Sequence, residues 1–377
     1  MRLQPMSKGV VIPVGKGLVF TPRAYEQVSN IREPTVKTPG VWFHMKSILI
    51  LRDRPSKPMQ YAIDHYALRW KAAGYRVINH IGLSDIPVAD LIIVHINSTV
   101  IPQDYVDLIN EFPRVINGNV LDVSRKRFSQ LLLSKTDDYT GPAIVKTNAN
   151  YGGWPEYVRD NKGDQKSQLR HFTSNEVPGN RSLIRQWAST IKSIAGIRLR
   201  DIANNKWPWK IEYSWDTIDA LDPLRYPIFD NIRSVPSGIW ENDNLVVERF
   251  ISNHEGGLFY THYYVFFGDK EISGRIGSPN PIVKFGNCVS DEEVSVPDEV
   301  SQWRKDVKID FGRFDYVDAG GKHFLIDVNK TEGGGDKNYG YSEEMDFLAS
   351  GLEFYLGGES KASGADSTGA YSAPTNR

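Results

Sequence analysis

Short apolar runs and amphipathic segments alternate along residues 46–120. The apolar runs have the length of strands that are buried in a parallel sheet; they lie at 47–52, 75–79, 90–96 and 114–117. The amphipathic segments carry apolar residues at helical spacing; they lie at 60–73 and 102–112. Strands that alternate with helices, joined by right-handed crossovers, predict a small doubly wound α/β domain.

The pattern beyond residue 120 predicts helices and strands without regular alternation. Helices are expected at 122–133 and 343–355, and strands at 143–146, 245–251 and 259–267. Gly268-Asp269 follows the last of these strands and predicts a hairpin turn. Residues 154–242 contain several tryptophans but no clear periodicity. The second part of the chain is therefore expected to be α+β.

Two terminal segments differ in composition from the rest of the chain. Residues 1–45 are rich in Pro, Gly and Lys, and we interpret them as an N-terminal arm. Residues 356–377 are rich in Gly, Ser, Ala and Thr and are expected to be a disordered tail. Between them lie the α/β domain, at 46–120, and a larger domain, at 121–355.

Charge and cysteine content exclude several classes of protein. The 377 residues include 45 Lys and Arg and 46 Asp and Glu, so the formal net charge is -1. Such a balance predicts no nucleic-acid partner and no attraction to an anionic membrane. The single cysteine, Cys288, excludes an intrachain disulfide framework and is typical of a reducing compartment. Without a membrane-spanning or export segment, we expect a cytoplasmic protein.

The richest chemistry lies in residues 310–336, which read as two strands joined by a Gly-rich turn. Arg313 and Asp315 lie two apart on the first strand, and Asp327 and Asn329 lie two apart on the second. Because residues two apart share a face of a strand, one face presents a guanidinium, two carboxylates and an amide oxygen. Hard oxygen ligands without His or Cys suit magnesium, which usually accompanies nucleotide phosphates.

A second candidate motif follows the strand at 143–146. Lys146 ends that strand, and the glycines Gly152 and Gly153 come shortly after it. Amide groups of glycines can approach phosphates closely, although the spacing is not that of a Walker A loop. Taken alone, the motif fits a plain hairpin better.

The third candidate motif lies on the strand at 245–251. Glu248 and Phe250 lie on this apolar strand, and Glu255 follows it. This arrangement can hold an adenine through the backbone and a ribose through the acid. An edge strand with Glu248 facing solvent explains the same residues.

The order of these motifs resembles the ATP-grasp superfamily, in particular D-alanine–D-alanine ligase and the RimK-like carboxylate–amine ligases. The layout of roughly residues 46–355 follows that of the family, and the Arg313/Asp315 and Asp327/Asn329 pairs are its most specific part. The resemblance implies an ATP-grasp fold, and it makes the unit at 46–120 the pre-ATP-grasp domain. The alternative is an acidic hairpin with a solvated tip.

The resemblance also implies a role for each candidate residue. In the nucleotide site, Lys146 would contact the α- and β-phosphates, with Gly152 and Gly153 beside it. Lys126 would be a further lysine of this site, with Arg125 as the alternative. The remaining nucleotide contacts would be Glu248 and Phe250 at the adenine and Glu255 at the ribose.

The same resemblance assigns the metal site and the reacting groups. Two magnesium ions would be held by Asp315, Asp327 and Asn329. Arg313 would steady the acyl phosphate and the tetrahedral intermediate, and Lys284 would lie near the γ-phosphate.

The chain departs from the family pattern at three places. Asp327 stands where glutamate is more frequent, and Lys330-Thr331-Glu332 and three glycines follow Asn329 in place of Pro-Gly. That loop borders the acceptor in the family, so the familiar acceptors are in doubt. Residues 154–245 exceed a typical small lobe and are expected to be an insertion, which acts as a lid, contacts the substrate or only packs.

The resemblance implies an ATP- and magnesium-dependent, ADP-forming ligase that makes a carbon–nitrogen bond through an acyl phosphate. Its partners would be a small-molecule acid and an amine, and a homodimer is left open. A small-molecule kinase is the main alternative, and a non-catalytic nucleotide-binding module is the other. The reaction products distinguish these three functions: a ligase releases ADP and phosphate when both substrates are present, a kinase leaves the phosphate on its product, and a binding module does neither.

Overall fold

Three sheets with helices around them form the structure, a computed structural model that describes residues 46–153, 155–156, 215–335 and 342–357. The architecture is mixed α/β, as predicted. The predicted arm at 1–45 lies outside the described residues, as do residues 157–214 of the predicted insertion and the tail from residue 358. No helix among the described residues is long and apolar enough to cross a membrane.

The first sheet is parallel and has four strands: β1 (Ser47–Arg52), β2 (Arg76–Ile81), β3 (Leu91–Val94) and β4 (Val115–Ile116). Their order is β2-β1-β3-β4. Helix α1 (Ala62–Ala72) packs with one face of this sheet, and α2 (Gln103–Ile109) packs with the other. The helices on opposite faces make the sheet doubly wound, as the alternation of the sequence predicts.

The prediction of a helix over residues 122–133 is wrong in length. Only residues Arg125–Phe128 form a helix, α3. The backbone of Leu131 and Leu133 instead bonds to strand β7 (Leu245–Arg249), through Arg249 N to Leu131 O at 2.8 Å and Leu133 N to Val247 O at 2.8 Å. Pairing with a strand edge satisfies backbone groups that a longer helix would have satisfied internally.

The second sheet has three antiparallel strands in the order β6-β5-β7. Besides β7, this sheet contains β5 (Ala143–Thr147) and the short strand β6 (Ile228–Phe229). Helix α4 (Ser237–Glu241) precedes β7, so part of the predicted insertion at 154–245 contributes to this sheet and its core.

The third sheet has six strands and carries most of the predicted motifs. Its main order is β11-β10-β9-β12-β13, and β8 pairs with β9. The strands are β8 (His254–Glu255), β9 (Leu258–Phe267), β10 (Lys270–Ser278), β11 (Ser290–Glu293), β12 (Phe311–Ala319) and β13 (Lys322–Asn329). Both predicted hairpins, β9–β10 and β12–β13, are present. Helix α5 (Asp298–Val307) leads into β12.

The first and third sheets share one hydrophobic core. Tyr66 and Trp70 of α1 contact Phe267 of β9, and Tyr66 also contacts Phe311 of β12. The core continues to α6 (Glu343–Ser350) and α7 (Leu352–Leu356). The division of the chain near residue 120 stays a prediction, since no break in this core accompanies it.

The closing helix is two helices where the sequence predicts one. Gly351 separates them, and a Cβ atom added there would collide with the carbonyl of Phe267. A Cβ on Gly268 would in turn collide with the carbonyl of Gly351. The pair of glycines thus lets the β9–β10 turn touch the helix backbone directly.

Candidate active site

A cleft that is open to solvent lies between the three-stranded and the six-stranded sheet. Apolar side chains of both sheets line it, together with four basic side chains: Arg125, Lys146, Arg249 and Lys284. Asp327 lines the same cleft. An apolar cleft with several cations suits a ligand that combines a flat apolar ring with anionic groups.

Two carboxylates face each other across the β12–β13 hairpin. Asp315 and Asp327 are direct partners in the ladder, and Lys284 Nζ lies 3.8 Å from Asp315 Oδ2 and 3.9 Å from Asp327 Oδ2. Arg313 Nη2 lies 2.6 Å from the other oxygen of Asp315. The hairpin therefore brings both carboxylates to one point, next to a lysine and an arginine.

An irregularity in the hairpin adds a buried arginine to this cluster. The register shifts between Asp315 and Tyr316, so Ile326 has no partner in the β12–β13 register. Its carbonyl accepts a hydrogen bond from Arg125 Nη1 at 2.6 Å, and Arg125 Nη2 donates to Asp327 Oδ1 at 3.2 Å. Bulges often redirect groups in this way beside functional sites.

The Asp327 carboxyl is held in its charged form. Burial alone raises its pKa, but the positive charges of Arg125, Lys284, Lys146 and Arg313 outweigh burial and hold the pKa below its usual value. A buried carboxylate kept ionised by surrounding cations is available as an oxygen ligand.

The donor set fits a divalent ion that prefers oxygen. Asp315 and Asp327 supply carboxylate oxygens, and Asn329, opposite Arg313 in the ladder, supplies an amide oxygen. This amide oxygen accepts a hydrogen bond from Asn150 Nδ2 at 3.1 Å, which orients it. Among the described residues, no group of three or more His, Cys, Asp or Glu could hold a metal ion. The magnesium prediction therefore depends on two carboxylates and one amide.

Lys146 reaches the cleft from the three-stranded sheet as a buried cation. Its Nζ lies 2.7 Å from Glu248 Oε2 on the neighbouring strand β7. Burial lowers the pKa of Lys146, and the carboxylate of Glu248 opposes this shift. The lysine lies close enough to Asp327 and Arg125 that their charges also act on it.

The adenine contact predicted at Glu248 is not available there. The Glu248 side chain is fully buried against Lys146, and its backbone pairs with Ile144 on one side and Leu132 on the other. The connection after β7 lines the cleft instead, from Arg249 through Phe250 to Asn253. Phe250 thus lines the cleft, and Glu248 serves as the counter-ion of Lys146.

Two other predicted contacts lie outside the cleft. Lys126 is exposed, and its Nζ donates a hydrogen bond to Asp243 Oδ1 at 2.9 Å. The alternative residue, Arg125, lines the cleft, because consecutive side chains of a helix point in different directions. Glu255 is exposed on the short strand β8, where it binds Arg275 at 3.1 Å. The ribose role predicted for Glu255 has no support in this geometry.

Gly152 and Gly153 are explained by packing, without a phosphate. Both have positive φ angles, of 68° and 75°. An added Cβ would collide with the carbonyl of Leu221 at Gly152 and with that of Asp219 at Gly153. Neither glycine lines the cleft. The turn after β5 therefore packs against residues 219–221 and does not extend over the cleft.

Two residues of the site, Tyr226 and Asn150, were not predicted from the sequence. Tyr226 lines the cleft beside Arg125, and burial raises its pKa to about 12, so its phenol is neutral. Asn150 orients Asn329. Tyr226 comes from a stretch without a motif, and Asn150 lies within the second candidate motif, between Lys146 and Gly152; only contacts with distant residues reveal the role of either.

Comparisons with known proteins find structural likeness only. No family model matches the chain, and no curated protein matches it. A RimK-domain ATP-grasp protein from Sphaerobacter thermophilus is 9% identical, with a TM-score of 0.40, over 82% of this chain and 99% of its own. The D-alanine–D-alanine ligase from Bacillus anthracis is 11% identical, with a TM-score of 0.30, over 83% of this chain and 99% of its own.

A third structure is the RiPP-associated ATP-grasp ligase from Chryseobacterium gregarium, in complex with ADP and a leader and core peptide. It is 10% identical, with a TM-score of 0.35, over 83% of this chain and 97% of its own. Identities below 25% and TM-scores below 0.5 assign neither a reaction nor a substrate to this chain. The proteins from Sphaerobacter thermophilus and Chryseobacterium gregarium are both described as ATP-grasp proteins.

Proposed function

We propose that this protein is an ATP- and magnesium-dependent ligase that joins a carboxylate to an amine through an acyl phosphate. One observation carries the proposal: Asp315 and Asp327 converge beside Arg313 and Lys284 at a cleft that also holds Arg125 and Lys146. Oxygen ligands for a divalent ion next to a set of cations are what polyphosphate transfer requires.

The cations of the cleft would bind the triphosphate. Arg125, Lys146 and Lys284 line it from three different segments, so a polyanion between them would meet positive charge on several sides. Phe250 and Ile251 would provide an apolar wall for an adenine ring. Lys146 and Arg125 are buried, which fixes their positions before the nucleotide binds.

Asp315, Asp327 and Asn329 would hold magnesium. When bound, the metal would supply positive charge to the phosphate oxygens during phosphoryl transfer. The protein groups around the metal site are already ordered: Arg313 and Lys284 lie at Asp315, Arg125 at Asp327, and Asn150 at Asn329.

The reaction balances as two displacements. A carboxylate oxygen of the acid attacks the γ-phosphorus of ATP, and ADP leaves. The amine nitrogen then attacks the carbonyl carbon of the acyl phosphate; phosphate leaves, and the nitrogen loses a proton. Arg313 lies beside the metal carboxylates with its guanidinium against Asp315, so it would stabilise the oxygen that becomes negative in the second step.

A screen of acids and amines tests this proposal directly. Candidate acids are offered singly and together with candidate amines, in the presence of magnesium and ATP, and ADP release and product mass are followed. The proposal expects ADP and free phosphate, with a product of the mass of acid plus amine minus water. A product that retains the phosphate would identify a kinase, and nucleotide binding without any product would identify a binding module.

A further inference from the structure

Tyr226 lies beside Lys146 on the cleft face of the three-stranded sheet. Strand β6 pairs with β5 in antiparallel register, and the pairing continues to a hydrogen bond from Val145 N to Pro227 O at 2.9 Å. One further step of the same register places Tyr226 opposite Lys146. Because residues opposite each other in a ladder share a face of the sheet, both side chains line the open cleft.

The hydroxyl of Tyr226 has no hydrogen-bond partner among the described residues, and the residue is only 5% exposed. Burial raises the pKa of the phenol to about 12, although Arg125 and Thr147 lie near enough to oppose this shift. The phenol therefore keeps its proton and can donate a hydrogen bond. A buried donor without an acceptor is costly, so a ligand oxygen that accepts from it is favoured.

The position of Tyr226 along the cleft matches the proposed phosphates and not the proposed adenine. The apolar wall for the adenine begins at Phe250, whose N–H donates to Pro142 O at 2.8 Å. Pro142 lies four residues before Lys146, and four residues of a strand span roughly 13 Å. Tyr226 therefore lies at the other end of β5, level with Lys146, in a cleft that Arg125 also lines.

Side chains must supply the hydrogen bonds that the glycine turn does not. Gly152 and Gly153 pack against residues 219–221, so their amide groups do not extend over the cleft. The Nε of Arg125 is a second buried donor that has no hydrogen-bond partner within the described part of the chain. Phosphate oxygens accept hydrogen bonds and do not donate them, so they suit a guanidinium and a neutral phenol.

We infer that Tyr226 is a further nucleotide-binding residue, whose hydroxyl donates a hydrogen bond to a phosphate oxygen held between Arg125 and Lys146. The contact is to the polyphosphate and not to the base or the ribose. Tyr226 binds and orients the nucleotide, and no covalent bond to it forms or breaks. This inference deepens the proposed function and rests on it, because the same two cations are assigned there to the triphosphate.

Removal of the hydroxyl alone tests the inference. Tyr226→Phe keeps the ring and its packing, and calorimetry on the full chain with magnesium measures its binding of a non-hydrolysable ATP analogue and of adenosine. The variant should bind the ATP analogue about ten-fold more weakly, as for the loss of one hydrogen bond to a charged group, and adenosine within about two-fold of the wild type. Adenosine has the base and the ribose but no phosphate, so it separates the two kinds of contact.

Tyr105→Phe is the matched control, because Tyr105 is a buried tyrosine of α2 outside the cleft, and this variant should keep the affinity for both ligands. A second arm separates direct contact from an effect through Arg125. In the Arg125→Lys background, Tyr226→Phe should still weaken binding of the ATP analogue about ten-fold. An effect that disappears there would make Tyr226 only a support for Arg125 and would contradict the inference.

Two further results would also contradict the inference: an unchanged affinity of Tyr226→Phe for the ATP analogue, or an equal loss of affinity for adenosine. Both are judged against a wild-type chain that binds the ATP analogue. A wild-type chain that binds no ATP analogue would contradict the proposed function itself.

Discussion

Asp315 and Asp327 are direct partners across the β12–β13 hairpin, and their carboxylates meet at the Nζ of Lys284, 3.8 Å and 3.9 Å away. Two like charges so close together would repel each other strongly without cations around them. Arg313 and Arg125 complete the neutralisation. A divalent ion would replace part of this positive charge, and Lys284 would then be free to bind phosphate.

The carboxylate pair gives the first prediction. Asp315→Asn or Asp327→Asn should abolish magnesium-dependent ADP release, because each removes a metal ligand while keeping the size of the side chain. Asp318→Asn, near the turn end of the same strand, is the control and should keep full activity. Circular dichroism checks the fold of each variant. Full activity in both metal-site variants would show that the pair does not bind the metal.

Lys146 and Glu248 separate stability from nucleotide binding. Lys146→Ala leaves Glu248 buried without its partner at 2.7 Å, and should lower the free energy of unfolding by roughly 3–5 kcal/mol. Lys146→Met/Glu248→Leu removes both charges and should recover most of that loss. Calorimetry should show that ATP binds the double variant at least about ten-fold more weakly than the wild type. Unchanged ATP affinity would mean that the lysine only supports the fold.

Arg125 and Lys126 are neighbours, but we expect only changes at Arg125 to weaken ATP binding. Arg125→Lys should weaken ATP binding about ten-fold, because lysine cannot reproduce both contacts of the guanidinium, to Ile326 O and Asp327. Lys126→Ala should leave the dissociation constant within about two-fold, since this lysine binds Asp243 outside the cleft. The reverse order of effects would restore Lys126 as the nucleotide contact.

Glu332 predicts a pH dependence of stability. Burial raises its pKa from 4.5 to about 8, so the folded protein binds a proton that the unfolded chain has already lost. The free energy of unfolding should therefore fall as the pH rises from about 4.5 to about 8. Glu332→Gln has no such proton to lose. It should become more stable than the wild type by about 1–3 kcal/mol at pH 8 relative to pH 5. Denaturant titrations of both proteins at pH 5 and pH 8 measure these free energies of unfolding. The same difference between variant and wild type at the two pH values would contradict the shifted pKa.

The parts of the site that lie on regular strands could be predicted from the sequence. The two-residue spacing of Arg313 and Asp315, and of Asp327 and Asn329, defines a face whatever the strands pack against. The hairpin between them follows from the glycines of the turn. The parallel sheet follows from continuous apolar runs such as 91–94, because a strand buried on both faces has no polar alternation.

The structure departs from what the sequence suggests where contacts with distant residues determine the position of a side chain. Gly152 looks like a phosphate contact until the carbonyl of Leu221, some 70 residues later, is seen against it. The pairing of Leu131 and Leu133 with β7 shortens the helix that was expected to carry Lys126. Glu255 follows the strand at the expected spacing, but β8 turns it to solvent towards Arg275. None of these contacts has a local sequence pattern.

The fate of one oxygen atom tests the central proposal most directly. The acid found by the screen is labelled with oxygen-18 in its carboxylate, and the released phosphate is analysed by mass spectrometry. The proposed route passes one label to phosphate, because the carboxylate oxygen attacks the γ-phosphorus and later leaves with it. Arg313→Ala should slow ligation by about 10²–10³-fold, as expected for the loss of one oxyanion donor. Unlabelled phosphate, or AMP in place of ADP, would contradict the acyl-phosphate mechanism.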